Sequence, residues 1–148
     1  MLRRLFLTSA ASLAVLGAAA PGAVALDTPL PLPLLAGPDK LTITIADSGY
    51  STANGTFELE CDTRSAVGTH PRAKSACDRL DELAAQDRDP FAPVAEGTMC
   101  TMQHGGPATA HITGTWRGKD VDARFSRTDG CEIARWDALK PVLPKVRS

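Results

Sequence analysis

Sulfur-containing side chains give this sequence its most distinctive chemistry. Met99 and Met102 flank Cys100 in the segment Thr98-Met99-Cys100-Thr101-Met102-Gln103-His104, which a Gly-Gly-Pro turn follows. Turn residues on both sides and the lack of helical periodicity predict a loop. A methionine usually fills an irregular gap in a core. Two methionines in one loop instead indicate side chains that fit the pockets of a partner.

Motifs of the common enzyme classes are absent from the sequence. It contains no G-x-S-x-G nucleophile elbow, no H-E-x-x-H zinc motif and no phosphate-binding G-x-x-x-x-G-K-[ST]. The spacings of His70, His104 and His111 match no common metal site. We therefore predict a protein that is not an enzyme and has no cofactor or metal, and a metal-dependent enzyme using His104 and His111 is the weakest hypothesis.

Residues 1–25 have the pattern of a secretory signal peptide. Arg3 and Arg4 precede an apolar run, and Ala23-Val24-Ala25 forms an A-x-A cleavage site. We expect an extracellular protein, and no later apolar run is long enough for a membrane helix. A formal net charge of −1, with only the tail locally basic, argues against nucleic acid or a membrane surface as partner.

Four cysteines follow the predicted signal peptide, at positions 61, 77, 100 and 131. An even number of cysteines in an oxidising compartment predicts two disulfides, and the sequence alone leaves three pairings open. No C-x-x-C motif is present, which argues against a redox or zinc site.

Alternating apolar and polar residues predict two antiparallel hairpins after a flexible, proline-rich arm at residues 26–38. The predicted strands are residues 40–46, 56–61, 108–116 and 121–125. Arg117-Gly118 forms the tight turn of the second hairpin.

Two helices complete the predicted domain. Apolar residues recur at helical spacing from Ala73 to Ala84, with Pro71 in the expected first turn, and a short helix is predicted over residues 131–139. Cys77 lies on the apolar side of the first helix, so we predict a bridge to Cys61 at the end of the second strand. The result is an α+β domain at residues 39–140 with an antiparallel β-sheet, two helices and two disulfides, and a loose tail at residues 141–148.

A cysteine-tethered loop in a secreted domain suggests one function. Its backbone could pair with the edge of a protease while alternate side chains enter the subsites of the enzyme. The loop would then be a substrate mimic.

The sequence from 41 to 136 resembles the Streptomyces subtilisin inhibitor family of secreted, dimeric serine protease inhibitors. The resemblance rests on five motifs. They are Thr69-His70-Pro71, Ala76-Cys77, Met99-Cys100-Thr101-Met102, the Gly-x-Trp at residues 114–116, and Cys131-Glu132.

The resemblance implies specific roles for the loop residues. It implies bridges from Cys61 to Cys77 and from Cys100 to Cys131, and a reactive-site bond between Met102 and Gln103. Met102 would enter the primary specificity pocket of a subtilisin-like protease and Met99 a secondary pocket. Contacts with the protease would also come from Cys100, Thr101 and His104.

The sequence departs from the family pattern around the implied reactive-site bond. Thr101 stands where the family often has proline, and Gly105 and Gly106 replace a flank with fewer glycines. We therefore expect the downstream side of the loop to be held loosely. An alternative hypothesis is a non-inhibitory secreted domain of the same fold, for instance a substrate or partner of a secreted transferase.

Overall fold

A computed structural model describes residues 39–62 and 65–147 of the chain. The predicted signal peptide and proline-rich arm lie outside this part. The elements, in chain order, are β1 (Asp39–Ala46), a 3₁₀ turn (Ser51–Ala53), β2 (Gly55–Cys61), β3 (Ala66–Val67), α1 (Ala73–Ala85), β4 (Thr109–Trp116), β5 (Lys119–Phe125) and α2 (Gly130–Ala138). Among the described residues, no helix has the length and apolar character needed to cross a membrane.

The five strands form one antiparallel sheet in the order β3-β2-β1-β4-β5. Strand β1 lies at its centre, where Ile43 is opposite Phe57 of β2 and Ile112 of β4. The predicted α+β class and both hairpins are confirmed. The sequence analysis missed β3, because two residues are too few to show an alternating pattern.

The hydrophobic core lies on the face of the sheet that packs against the helices. Leu41, Ile43 and Ile112 are fully buried in the strands, as are Leu80 in α1 and Trp136 in α2. The alternate residues of the strands leave the other face polar and largely exposed. An antiparallel sheet with one covered face follows directly from this alternation.

Helix α1 begins two residues later than expected, because Pro71 and Arg72 form a turn before it. His70 lies at this turn, but its ring is buried. Its Nδ1 accepts a hydrogen bond from the backbone N–H of Arg72 (3.2 Å), so its Nε2 carries the proton and donates to the carbonyl of Val142 (3.0 Å). His70 therefore connects the start of α1 to the C-terminal segment.

The prediction of a loose C-terminal tail is wrong for residues 141–147, which the structure describes. Val142 and Leu143 are fully buried in the core. The indole N–H of Trp136 donates to the carbonyl of Pro144 (2.9 Å). The prolines prevent a helix or a ladder there, but the two apolar side chains between them still gain free energy by packing.

Both disulfides of the structure join loop or strand ends to helices. Cys61 at the end of β2 is bonded to Cys77 in α1, with Cα atoms 5.6 Å apart. Cys100 is bonded to Cys131 in α2, with Cα atoms 5.3 Å apart. The cysteines are thus paired as predicted, and the second bridge attaches the Met99–Met102 segment to α2.

Candidate functional site

The segment before β4 exposes two large apolar side chains. Met99 is 97% exposed and Met102 is 99% exposed, which is almost the full surface of each side chain. Gln103 and His104 are exposed as well. Exposed apolar side chains gathered on one loop are typical of a surface that binds another protein. We call residues 99–105 the binding loop.

The upstream side of the binding loop is attached to the start of α2. Besides the disulfide at Cys100, the carbonyl of Thr101 accepts a hydrogen bond from the backbone N–H of Gly130 (3.0 Å). Gly130 is the first residue of α2, and the first N–H groups of a helix have no partner within the helix. One of these free donors therefore holds the binding loop.

The next two N–H groups of α2 are bonded to the capping residue. Asp129 Oδ1 accepts from the N–H of Cys131 (2.9 Å) and of Glu132 (3.0 Å). This cap fixes the position of the helix start. The upstream attachment of the loop therefore rests on a rigid element.

The downstream side of the binding loop is attached to the connection between β5 and α2. Gly105 is buried, and its N–H donates to the carbonyl of Arg127 (2.8 Å). In return, Nε of Arg127 donates to the carbonyl of Gly105 (2.9 Å). The expectation of a loosely held downstream flank is therefore wrong at Gly105.

Close packing explains the glycine at position 105. A Cβ atom there would lie 2.9 Å from both Nε of Arg127 and Cγ1 of Ile133. Such distances are too short for ordinary contacts. Glycine therefore allows the backbone to approach Arg127 closely. At this position the glycine indicates tight packing and not a flexible backbone.

Arg127 is itself held by the second helix. Its side chain is 11% exposed, and Nη1 donates to Asp137 Oδ1 (3.1 Å). Burial raises the pKa of Asp137, but hydrogen bonds from Lys140 and Arg127 outweigh burial, so its pKa lies below the ordinary 3.8. Asp137 is therefore ionised at neutral pH. The guanidinium also lies 5.9 Å from the ring centroid of Trp136.

The anchors leave a short exposed span between them. Only Met102, Gln103 and His104 separate Thr101 from Gly105. A bond between Met102 and Gln103 is thus flanked upstream by a backbone hydrogen bond to the start of α2 and downstream by one to the β5–α2 connection. A loop anchored in this way would lose little conformational freedom on binding a partner.

Potential metal ligands in the described residues do not form a convincing site. One atom from each of Cys100, Asp129 and Cys131 lies within 4.8 Å of the other two, but both sulfurs are consumed by the disulfide and are not thiolates. His70 has the two backbone partners described above. His111 Nε2 lies 2.7 Å from Asp122 Oδ1 on the open face of the sheet. His70 and His111 therefore contact different partners and do not share a metal site.

Comparison with known proteins shows the family of this chain. A sequence model described as subtilisin inhibitor-like matches residues 37–128. The chain belongs to the subtilisin inhibitor-like family. Proteins of this family are protease inhibitors and not enzymes.

Two relatives show how far the similarity extends. A subtilase-type protease inhibitor from Streptomyces fradiae is 37% identical over 101 residues, which cover 66% of this chain and 68% of the relative. One from Streptomyces coelicolor is 35% identical over 123 residues, covering 80% of this chain and 81% of the relative.

A solved structure is also similar. It is Streptomyces caespitosus sermetstatin in complex with Bacillus licheniformis subtilisin. The match has 22% identity and a TM-score of 0.41 and covers 67% of this chain and 91% of sermetstatin.

Several residues that hold the binding loop were missed by the sequence analysis. Asp129 had a local signal, because an aspartate followed three residues later by Glu132 is typical of a helix start. Gly130 and Arg127 had no such signal, since their contacts with Thr101 and Gly105 depend on how distant segments meet.

Proposed function

We propose that this chain is a secreted inhibitor of subtilisin-like serine endopeptidases and binds them through the bond between Met102 and Gln103. The observation that carries the proposal is the almost complete exposure of Met102 within a backbone that is anchored on both sides. Membership in the subtilisin inhibitor-like family supports it. The protease inhibitors of Streptomyces fradiae and Streptomyces coelicolor support the target class, since both are described as subtilase-type.

The proposed binding mode is that of a substrate held in advance in an extended shape. Met102 enters the primary specificity pocket and Met99 a secondary pocket, while Thr101 and His104 contact the rims of the cleft. The backbone of the loop pairs with an exposed edge of the enzyme. Because the disulfide and the anchoring hydrogen bonds already order the loop, association loses less entropy than with a flexible peptide.

Side-chain burial alone does not account for tight inhibition under this proposal. Transfer of one methionine from water to a pocket contributes about 1.5 to 3 kcal/mol. A nanomolar complex requires about 12 kcal/mol. The remainder must come from the backbone pairing, from Met99 and from the low cost of ordering the loop.

We further propose that the protein acts outside the cell and forms a homodimer. The signal-peptide pattern at residues 1–25 supports export. The open polar face of the sheet, where Thr44 is opposite Thr56 and His111, offers a surface for a second copy. Sedimentation of the purified protein at several concentrations measures its mass, and a monomer at all of them contradicts the dimer.

A titration tests the inhibitory function. Purified protein is added in steps to a fixed amount of subtilisin, and residual activity on a peptide substrate is measured. We expect a stoichiometric loss of activity. No loss, or rapid and complete cleavage at Met102, contradicts the proposal. Recovery of only a non-protease partner from culture fluid would support the alternative of a non-inhibitory binding domain.

A further inference from the structure

Arg127 places a buried charge against the downstream half of the binding loop. Its Nε donates to the carbonyl of Gly105 (2.9 Å), and its Nη1 reaches Asp137 (3.1 Å). A buried guanidinium is costly unless it is paired and hydrogen-bonded. The carboxylate of Asp137 in α2 neutralises the guanidinium through Nη1. Nε is a different donor of the same group, and its bond to Gly105 connects Arg127 to the loop.

The position of Gly105 matters for the fate of a cleaved loop. When a serine protease attacks, the serine oxygen bonds to the carbonyl carbon of Met102, and the bond to Gln103 breaks to leave a free amine. That amine lies two residues from Gly105. A chain of two residues spans at most roughly 7 Å. An anchored Gly105 therefore keeps the amine near the ester.

We propose that Arg127 is the positioning residue that retains the amine side of the loop after cleavage and so favours resynthesis of the bond over hydrolysis. In resynthesis the Gln103 amine attacks the Met102 ester, re-forms the peptide bond and returns a proton to the serine oxygen. In hydrolysis a water molecule attacks instead and leaves the Met102 carboxylate. A retained amine competes at high effective concentration.

This inference rests on the proposed inhibitory function and extends it to a residue outside the binding loop. The acyl side needs no such residue, because the Cys100 disulfide holds it covalently. The amine side has no covalent anchor among the described residues near it. The backbone bond from the Gly105 N–H to the Arg127 carbonyl is not removed by substituting the side chain, so exchange at this amide reports how firmly the Arg127 side chain holds the segment.

The test compares three variants with the wild type in complex with subtilisin. Arg127→Met keeps an apolar stem against Trp136 but removes the donors, and Arg127→Lys keeps a charged donor. Val142→Ala is a control that lowers stability at a core residue outside the loop. Mass spectrometry follows cleavage between Met102 and Gln103. For Arg127→Met we expect about ten- to a hundredfold faster net cleavage, as for loss of a charged hydrogen bond. Arg127→Lys should be intermediate and Val142→Ala close to wild type.

A second measurement needs no protease. In the free protein, NMR hydrogen exchange at the Gly105 amide should be faster in Arg127→Met than in Val142→Ala. If wild type inhibits but Arg127→Met is cleaved no faster than Val142→Ala, the proposed role of Arg127 is wrong while the inhibitory function stands. If wild type does not inhibit, the proposed function itself fails. Unchanged exchange at Gly105 also contradicts the role of Arg127.

Discussion

Gly130 and Thr101 are in contact across the base of the binding loop. The N–H of Gly130 donates to the Thr101 carbonyl (3.0 Å), and a Cβ atom on Gly130 would overlap Oγ1 of Thr101. The helix start and the residue before Met102 are therefore matched in shape as well as in hydrogen bonding. This contact attaches the upstream side of the loop to α2 in addition to the disulfide.

Gly130→Ala should weaken inhibition more than it weakens folding. The new methyl group pushes Thr101 away, which lengthens its hydrogen bond and shifts Met102. Loss of one such bond corresponds to about tenfold in the inhibition constant. Inhibition constants against subtilisin measure the effect. Gly118→Ala serves as a control for stability alone, because a Cβ there meets no atom within 4 Å and the positive φ of 72° makes the substitution costly to the backbone. Equal inhibition by both variants would show that the Gly130 contact is unimportant for binding.

Met102→Lys should redirect inhibition toward trypsin-like proteases. Met102 is 99% exposed, so the substitution leaves the core untouched and the melting temperature unchanged. The new ammonium matches an acidic specificity pocket and loses apolar burial in a subtilisin pocket. Inhibition constants for subtilisin and trypsin, measured side by side, give the change in preference. Met99→Lys is the matched control. An equal change in protease preference in both variants would show that Met102 does not occupy the primary specificity pocket.

Removal of the two disulfides should have different consequences. Replacing Cys100 and Cys131 by serine frees the upstream side of the loop, so we expect faster cleavage at Met102 together with a loss of stability of about 3 kcal/mol. Replacing Cys61 and Cys77 should lower stability similarly without touching the loop. Denaturant unfolding and cleavage in the presence of subtilisin measure the two effects. Equal cleavage of both variants at matched stability would contradict a specific role for the Cys100–Cys131 bridge.

Stability should fall on mild acidification because of His70. Burial lowers the pKa of His70 below 6.5, and the hydrogen bond to Val142 only partly opposes this. The unfolded chain therefore binds a proton more readily near pH 6.5 than the folded protein does. The contribution of His70 is full above its unfolded pKa and declines as the pH falls through the folded pKa.

A comparison of wild type with His70→Gln isolates this effect. Glutamine does not titrate, so the free energy of unfolding by urea should depend less on pH in the variant between about pH 5 and pH 7. The variant should also be about 1 to 3 kcal/mol less stable at pH 7.5, since it disturbs two buried hydrogen bonds. Parallel stability curves for the two proteins would show that His70 does not cause the pH dependence.

The sequence by itself determined the four long strands, the two helices and the place of the loop. Alternation along residues 40–46 and 121–125 fixes which strand residues are buried, because successive side chains point to opposite faces. The helical spacing from Ala73 to Ala84 likewise places Cys77 toward the sheet. Met99 and Met102 were identified as loop residues because no periodic pattern includes them.

Only the tertiary structure decided what holds the loop and the C-terminus. Gly105 and Arg127 are 22 residues apart, and nothing local to either one indicates the other. Two consecutive glycines suggest a flexible backbone, yet Gly105 is buried. Because it has no side chain, Arg127 and Ile133 can pack against its backbone. Likewise, Val142 was predicted to lie in a loose tail, yet it is fully buried in the hydrophobic core. Periodicity in the sequence predicts which face of a helix or strand a residue lies on. Contacts such as that between Gly105 and Arg127 depend instead on which distant segments meet after folding.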